Sequence, residues 1–132
     1  MLKRVLIADD NVYVRDVIRT FLKDAPEIQI CGEALDGPET LEMARQLTPD
    51  LVLLDLSMPT INGADVALQL KQTMPDVRII MFTMYSEQLG KSLMSSIGAD
   101  AVLSKPDGMS RLIASINAVF DAPTHLPPQN LA

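Results

Sequence analysis

The stretch Val5–Asn11, "VLIADDN", runs from an unbroken apolar segment straight into two adjacent carboxylates, and its reading decides the fold. A strand with one wet face alternates apolar and polar side chains. A strand with no polar interruption is buried on both faces, as strands of a parallel sheet are. Four further short, largely apolar runs follow, at Ile28–Ala34, Leu51–Leu54, Val77–Phe82 and Ala101–Leu103. Between them apolar residues recur at the three- and four-residue spacing of a helix face: Val14, Val17, Ile18, Phe21 and Leu22, then Leu41, Ala44 and Leu47, and finally Met109, Leu112, Ile113, Ile116 and Phe120. Shorter patterns of the same kind span Gly63–Thr73 and Ser86–Ile97. Strand and helix thus alternate five times. The expectation is an α/β fold with a five-stranded parallel sheet and helices on both faces, doubly wound.

The chain has 132 residues, 48% of them hydrophobic, which suits one domain around one core. We expect that domain over residues 1–121, with 122–132 ("APTHLPPQNLA" from Ala122) as a linker-like tail. No apolar run approaches the roughly 18 residues of a membrane span, and "MLKRVLIADD" meets acids too early for a signal peptide, so a cytoplasmic protein is expected. A net charge of -6 with 11 Lys and Arg argues against nucleic-acid binding by this segment itself. Cys31, the one cysteine, lies in "IQICGEA" and reads as a small core residue. Neither a Gly-x-Gly-x-x-Gly nor a Walker lysine motif is present.

Doubly wound sheets place their chemistry beyond the carboxyl ends of the strands, beside the point where strand order reverses. The first strand leads into Asp9 and Asp10, the third into Asp55 in "LVLLDLSMP", the fourth into Thr83 in "RIIMFTMYS", and the fifth towards Lys105 in "AVLSKPDG". The second ends in "EALDG", with no comparable group. Any one acid after a strand is more often a helix cap, and Asp10 or Asn11 suits that role. Caps do not explain why a threonine and a lysine stand at matching ends. Carboxylates crowded together either take up a proton or settle a cation among them, and hard oxygen ligands favour Mg²⁺.

The ordered set, "DD", "DLSMP", "T" and "KP", resembles the receiver domains of two-component response regulators, over Lys3 to Phe120. Among these it is most similar to receivers of LuxR-type transcriptional regulators, on the segment "GADAVLSK". The resemblance implies the flavodoxin-like (βα)5 receiver fold. It implies Asp55 as phosphoacceptor, Asp10 as a direct Mg²⁺ ligand, Asp9 as a ligand acting mainly through water, and the main-chain carbonyl of Ser57 completing the protein's share of the metal shell. Thr83 would donate its hydroxyl to a phosphoryl oxygen, Lys105 would pair with the phosphoryl group, and the Lys105–Pro106 bond would be cis. Many receivers carry Tyr or Phe three residues before that lysine, where this chain has Val102; Tyr85 is then the nearest aromatic for a switch role, against a plainer reading as a ring over the site entrance.

The implied partners are a sensor histidine kinase or phosphotransfer protein, since His125, the lone histidine, sits in the tail. The implied output is transcription through a DNA-binding domain outside this chain, with phosphorylation-dependent homodimerisation through Ser86–Ile97 and the last helix. Beyond self-phosphorylation and autodephosphorylation no enzyme activity is expected. The alternatives are a stand-alone receiver acting by protein contact, a receiver never phosphorylated, a haloacid-dehalogenase-type phosphatase, which would need Asp-x-Asp where this chain has Asp9-Asp10-Asn11, and a flavin binder, which would need a Ser/Thr/Gly-rich cradle after the first strand.

Overall fold

Five parallel strands form one sheet in the order β2-β1-β3-β4-β5. They are β1 (Lys3–Ala8), β2 (Ile28–Ala34), β3 (Leu51–Asp55), β4 (Arg78–Thr83) and β5 (Ala101–Ser104). The helices are α1 (Val12–Leu22), α2 (Gly37–Leu47), α3 (Gly63–Thr73) and α4 (Leu112–Asp121), the last preceded by a 3-10 turn at Met109–Arg111. The computed structural model describes residues 2–83, 97–104 and 109–121, with Thr83 as strand main chain. The helix expected over Ser86–Ile97 lies outside the described residues except for Ile97, which is buried. Tyr85, Lys105, Pro106 with its expected cis bond, and the tail from Ala122 also lie outside them.

Alternation along each strand explains why the strands read as continuous apolar runs. Leu6, Ala8, Val52, Leu54, Ile79 and Met81 face one core with Ala44 of α2 and Val66, Ala67 and Leu70 of α3. Their neighbours Val5, Ile7, Leu51, Leu53, Ile80 and Phe82 face another with Ile18 and Leu22 of α1 and Leu112, Ile116 and Val119 of α4. Helices therefore cover both faces, and the doubly wound expectation holds. Every residue of β3 is buried. Helix α1 departs from its expected role, because only Ile18 and Leu22 are buried while Val17 and Phe21 are 40% and 39% exposed.

One irregularity marks β2. The β1 partners step from Val5↔Ile30 to Leu6↔Gly32, so Cys31 is an extra residue in a bulge. Gly32 packs closely under α2, since a Cβ would stand 2.7 Å from Met43 Cε and 2.8 Å from Leu47 Cδ1, so that those two side-chain ends would have to shift. Cys31 is half-buried against the α2/α3 core rather than within it, and burial pushes its thiol pKa up from the ordinary value. A run of apolar letters does not show a bulge, which is why the cysteine is less enclosed than expected.

Candidate functional site

Strand order reverses between β1 and β3: the chain leaves β1 for β2 on one side and returns to β3 on the other. In the ladder Ala8 stands opposite Leu54, so Asp9 and Asp55 are the next residues along two adjacent strands. Register thus brings together residues 46 positions apart in sequence. Carboxylate oxygens of Asp9, Asp10 and Asp55 all lie within 4.8 Å of one another. Asp9 is 2% and Asp55 4% exposed, while Asp10 faces solvent.

Local main-chain donors hold two of these acids. The Asn11 N–H donates to Asp9 Oδ1 at 2.8 Å, and the Ser57 N–H to Asp55 Oδ1 at 3.2 Å. Asn11 proves to be the helix cap: its Oδ1 accepts from the Tyr13 and Val14 N–H groups at 2.8 and 3.3 Å. That leaves Asp10 available to the cluster. At an effective dielectric of ~20, two carboxylates about 5 Å apart repel by about 3 kcal/mol, so three together favour a cation among them. The donor set is hard oxygen with one member open to solvent, which fits Mg²⁺ and its retained waters.

The loop after β3 is built to hold Asp55 still. The Leu56 N–H donates to the Phe82 carbonyl at 2.9 Å, which carries the β3–β4 ladder one step past Asp55. The Gly63 N–H donates back to the Leu56 carbonyl at 2.8 Å, closing the loop. Only glycine allows this approach, since a Cβ at Gly63 would lie 2.3 Å from the Asp55 carbonyl oxygen and 2.7 Å from Leu56 Cα. Midway, the Ile61 N–H donates to the Pro59 carbonyl at 2.8 Å, and Thr60 between them has φ 73. This is a γ-turn in which a β-branched residue takes a left-handed φ, a strained arrangement of the kind that gathers at working sites. Ser57 lies in this loop with its side chain exposed.

On the other side of β3, Thr83 ends β4 and pairs in register with Ser104 of β5, the residue before Lys105. Thr83 and Ser104 therefore end their strands at the edge that carries the acids, and Lys105 follows Ser104 in sequence. Val102 of β5 pairs with Met81, is partly buried, and packs against the α2/α3 core. Arg15, which no motif in the sequence marks, also reaches the site, and Glu33 holds it. Arg15 Nη1 donates to the Asp9 carbonyl at 2.6 Å, and Arg15 Nε pairs with Glu33 Oε1 at 3.0 Å. Glu33 lies in "EALDG", so the end of β2 also contributes a group beside the site.

The receiver domain model of response regulators matches residues 5–117, and the chain belongs to this family. It is 33% identical to the response regulator GacA of Pseudomonas viridiflava over 126 residues, which are 96% of this chain and 59% of that protein. It is 32% identical to the response regulator UvrY of Escherichia coli over 122 residues, 92% of this chain and 56% of that protein. The chain thus spans somewhat more than half the length of these relatives. A crystal structure of a LuxR-family two-component response regulator from Aurantimonas sp. SI85-9A1 superposes with a TM-score of 0.86 at 26% identity, covering 98% of this chain and 92% of that one. The protein is a response-regulator receiver domain whose relatives include LuxR-type regulators. Neither the haloacid-dehalogenase nor the flavin-binding alternative matches that membership. Among the described residues, no helix is long and apolar enough to cross a membrane.

Proposed function

We propose that the domain accepts a phosphoryl group on Asp55 from the phosphohistidine of a sensor histidine kinase or phosphotransfer protein. The observation that carries this reading is the placement of Asp55, buried at the end of a central strand, with oxygens of Asp9 and Asp10 within 4.8 Å. In the transfer, an Asp55 carboxylate oxygen forms a bond to phosphorus as the phosphorus–nitrogen bond breaks, and the electron pair returns to the donor imidazole. Asp9, Asp10, Asp55 and the Ser57 carbonyl would hold Mg²⁺. When bound, Mg²⁺ offsets the repulsion between an anionic nucleophile and an anionic phosphoryl group.

The remaining roles belong to the chain itself. Lys105 pairs with the phosphoryl group and Thr83 donates its hydroxyl to one of the oxygens; their positions after β5 and at the end of β4 support this. Once phosphorylated, Asp55 carries a group of about -1.5 to -2 charge with three acceptor oxygens in place of its carboxylate, which draws Thr83 inward. Val102 has no ring to follow that movement, so the readout lies in the face made by Ser86–Ile97, β5 and α4, with Tyr85 the nearest aromatic. Water attack on the acyl phosphate returns Asp55 to its free form. The output is transcriptional, through a DNA-binding domain separate from this one, in a cytoplasmic signalling pathway.

Acetyl phosphate with Mg²⁺ should add one hydroxylamine-labile phosphoryl group, read by intact mass. Asp55→Asn should abolish it. An adduct formed by that variant at the wild-type rate would overturn the assignment.

A further inference from the structure

Arg15 is the fourth residue of α1, in a helix whose opening turn has no acid. A cation there opposes the helix dipole, which favours negative charge at an N-terminus. Its side chain is nevertheless only 11% exposed, so the protein keeps a charge where the helix alone would not. The guanidinium makes two directional bonds. Nε lies 3.0 Å from Glu33 Oε1 on β2, and Nη1 donates to the Asp9 main-chain carbonyl at 2.6 Å. Arg19 Nη1 also bonds Glu33 Oε1, which anchors that carboxylate from a second turn of the same helix.

We propose that Arg15, tethered by Glu33, is a positioning residue for the cation seat. This rests on the reading of Asp9 and Asp10 as that seat. Among the described residues Asp9 is held through its N–H, which donates to the Ala34 carbonyl at 3.1 Å, its Oδ1, which accepts from the Asn11 N–H at 2.8 Å, and its carbonyl, which accepts from Arg15. The last bond orients the Asp9–Asp10 peptide plane and so sets where the solvent-facing Asp10 carboxylate begins. Glu33 has a second effect. Engaged by Glu33, the guanidinium is kept on the main-chain side of Asp9; released, it would be drawn to the crowded carboxylates and compete with a metal ion for them.

Charge and geometry make opposite predictions here, which gives the test its power. Removing a cation beside three carboxylates should tighten binding of another cation if charge alone matters. Removing an orienting bond should weaken it, by about tenfold or more for supports of this kind. The full chain is titrated with Mn²⁺ and free Mn²⁺ is read by electron paramagnetic resonance, for wild type, Arg15→Met, Arg15→Lys and Asp10→Asn. Arg15→Met keeps the apolar stem and is expected to weaken Mn²⁺ by about tenfold or more. The Mg²⁺ concentration for half-maximal acetyl phosphate labelling should rise in step, with the limiting rate at saturating Mg²⁺ retained. Arg15→Lys restores charge without the planar fork and should not restore affinity. It also decides the matter should Arg15→Met fail to fold. Wild-type or tighter affinity in the Arg15 variants, with binding lost in Asp10→Asn, overturns the positioning role alone. Wild-type affinity in Asp10→Asn removes the seat itself, and the proposal with it.

Discussion

At the scale of single residues, the site concentrates features that stability alone would not select. Asp9 and Asp55 are buried acids beside a third, and Thr60 adopts φ 73 without being glycine. Thr60→Gly should therefore stabilise the fold by about 0.5 to 1 kcal/mol, the relief of left-handed strain exceeding the entropy that glycine adds to the unfolded chain. Urea unfolding without metal would measure it, and an unchanged or lower midpoint would show that Thr60 is not strained. Cys31 offers a pH test away from the site. Burial raises its thiol pKa, so the folded state holds the proton more tightly than the unfolded state does. Its contribution to stability is complete below the ordinary thiol pKa and is lost as pH rises through the raised one. Alkylation by iodoacetamide should accordingly follow a pH profile displaced upward from that of a free cysteine; coincident profiles would contradict the burial argument. The acids themselves were legible from sequence, because an apolar run that ends in "DD" or "D" names its own strand end. Arg15 and Glu33 were not. An arginine in the opening turn of a helix was the available signal, but its two partners become visible only when α1 and β2 are placed side by side.

At the scale of elements, the loop from β3 to α3 decides whether Asp55 is held. Gly63 stands where α3 begins, with the Asp55 carbonyl 2.3 Å from the place a Cβ would occupy. Backbone rather than a flexible side chain is in the way, so Gly63→Ala must push α3 off the end of β3. We expect a loss of about 2 kcal/mol or more and slower phosphorylation at 10 °C, where the variant is still folded. Wild-type labelling in a destabilised variant would mean that the loop supports the fold and not the nucleophile. Among the described residues the elements match the expectation: the expected Gly63–Thr73 helix is α3, and the strands differ by at most two residues at their ends. Continuous apolar strands identified the parallel sheet because both faces are covered, one by α2 and α3 and the other by α1 and α4. The bulge at Cys31 does not show in the sequence, because it exists only in the register between β1 and β2. Asp10 and Asn11 are equal helix-cap candidates in the sequence, and the structure gives the role to Asn11, whose side chain accepts from the Tyr13 and Val14 N–H groups.

At the scale of the whole molecule, the fold gathers at one edge of its sheet side chains that lie far apart in sequence, and the order β2-β1-β3-β4-β5 places the acids at its reversal point. Since a domain with a net charge of -6 has little to offer DNA directly, we expect it to pass on a signal by a change of surface. Homodimerisation through α4 and the Ser86–Ile97 segment is the form we expect. Coupling of about 1 to 3 kcal/mol would tighten the dimer roughly five- to 150-fold, which sedimentation with and without beryllofluoride would detect. A monomer mass unchanged at high micromolar concentration with the site occupied would remove dimerisation of this segment as the output step. The central claim is narrower and can be tested chemically. Borohydride reduces an aspartyl phosphate to homoserine, which marks the acceptor permanently. After treatment with acetyl phosphate and Mg²⁺, reduction and peptide sequencing should place homoserine at position 55 and at no other acid. Homoserine at position 9 or 10, or its absence from position 55 in a protein that has taken up one phosphoryl group, would contradict the account.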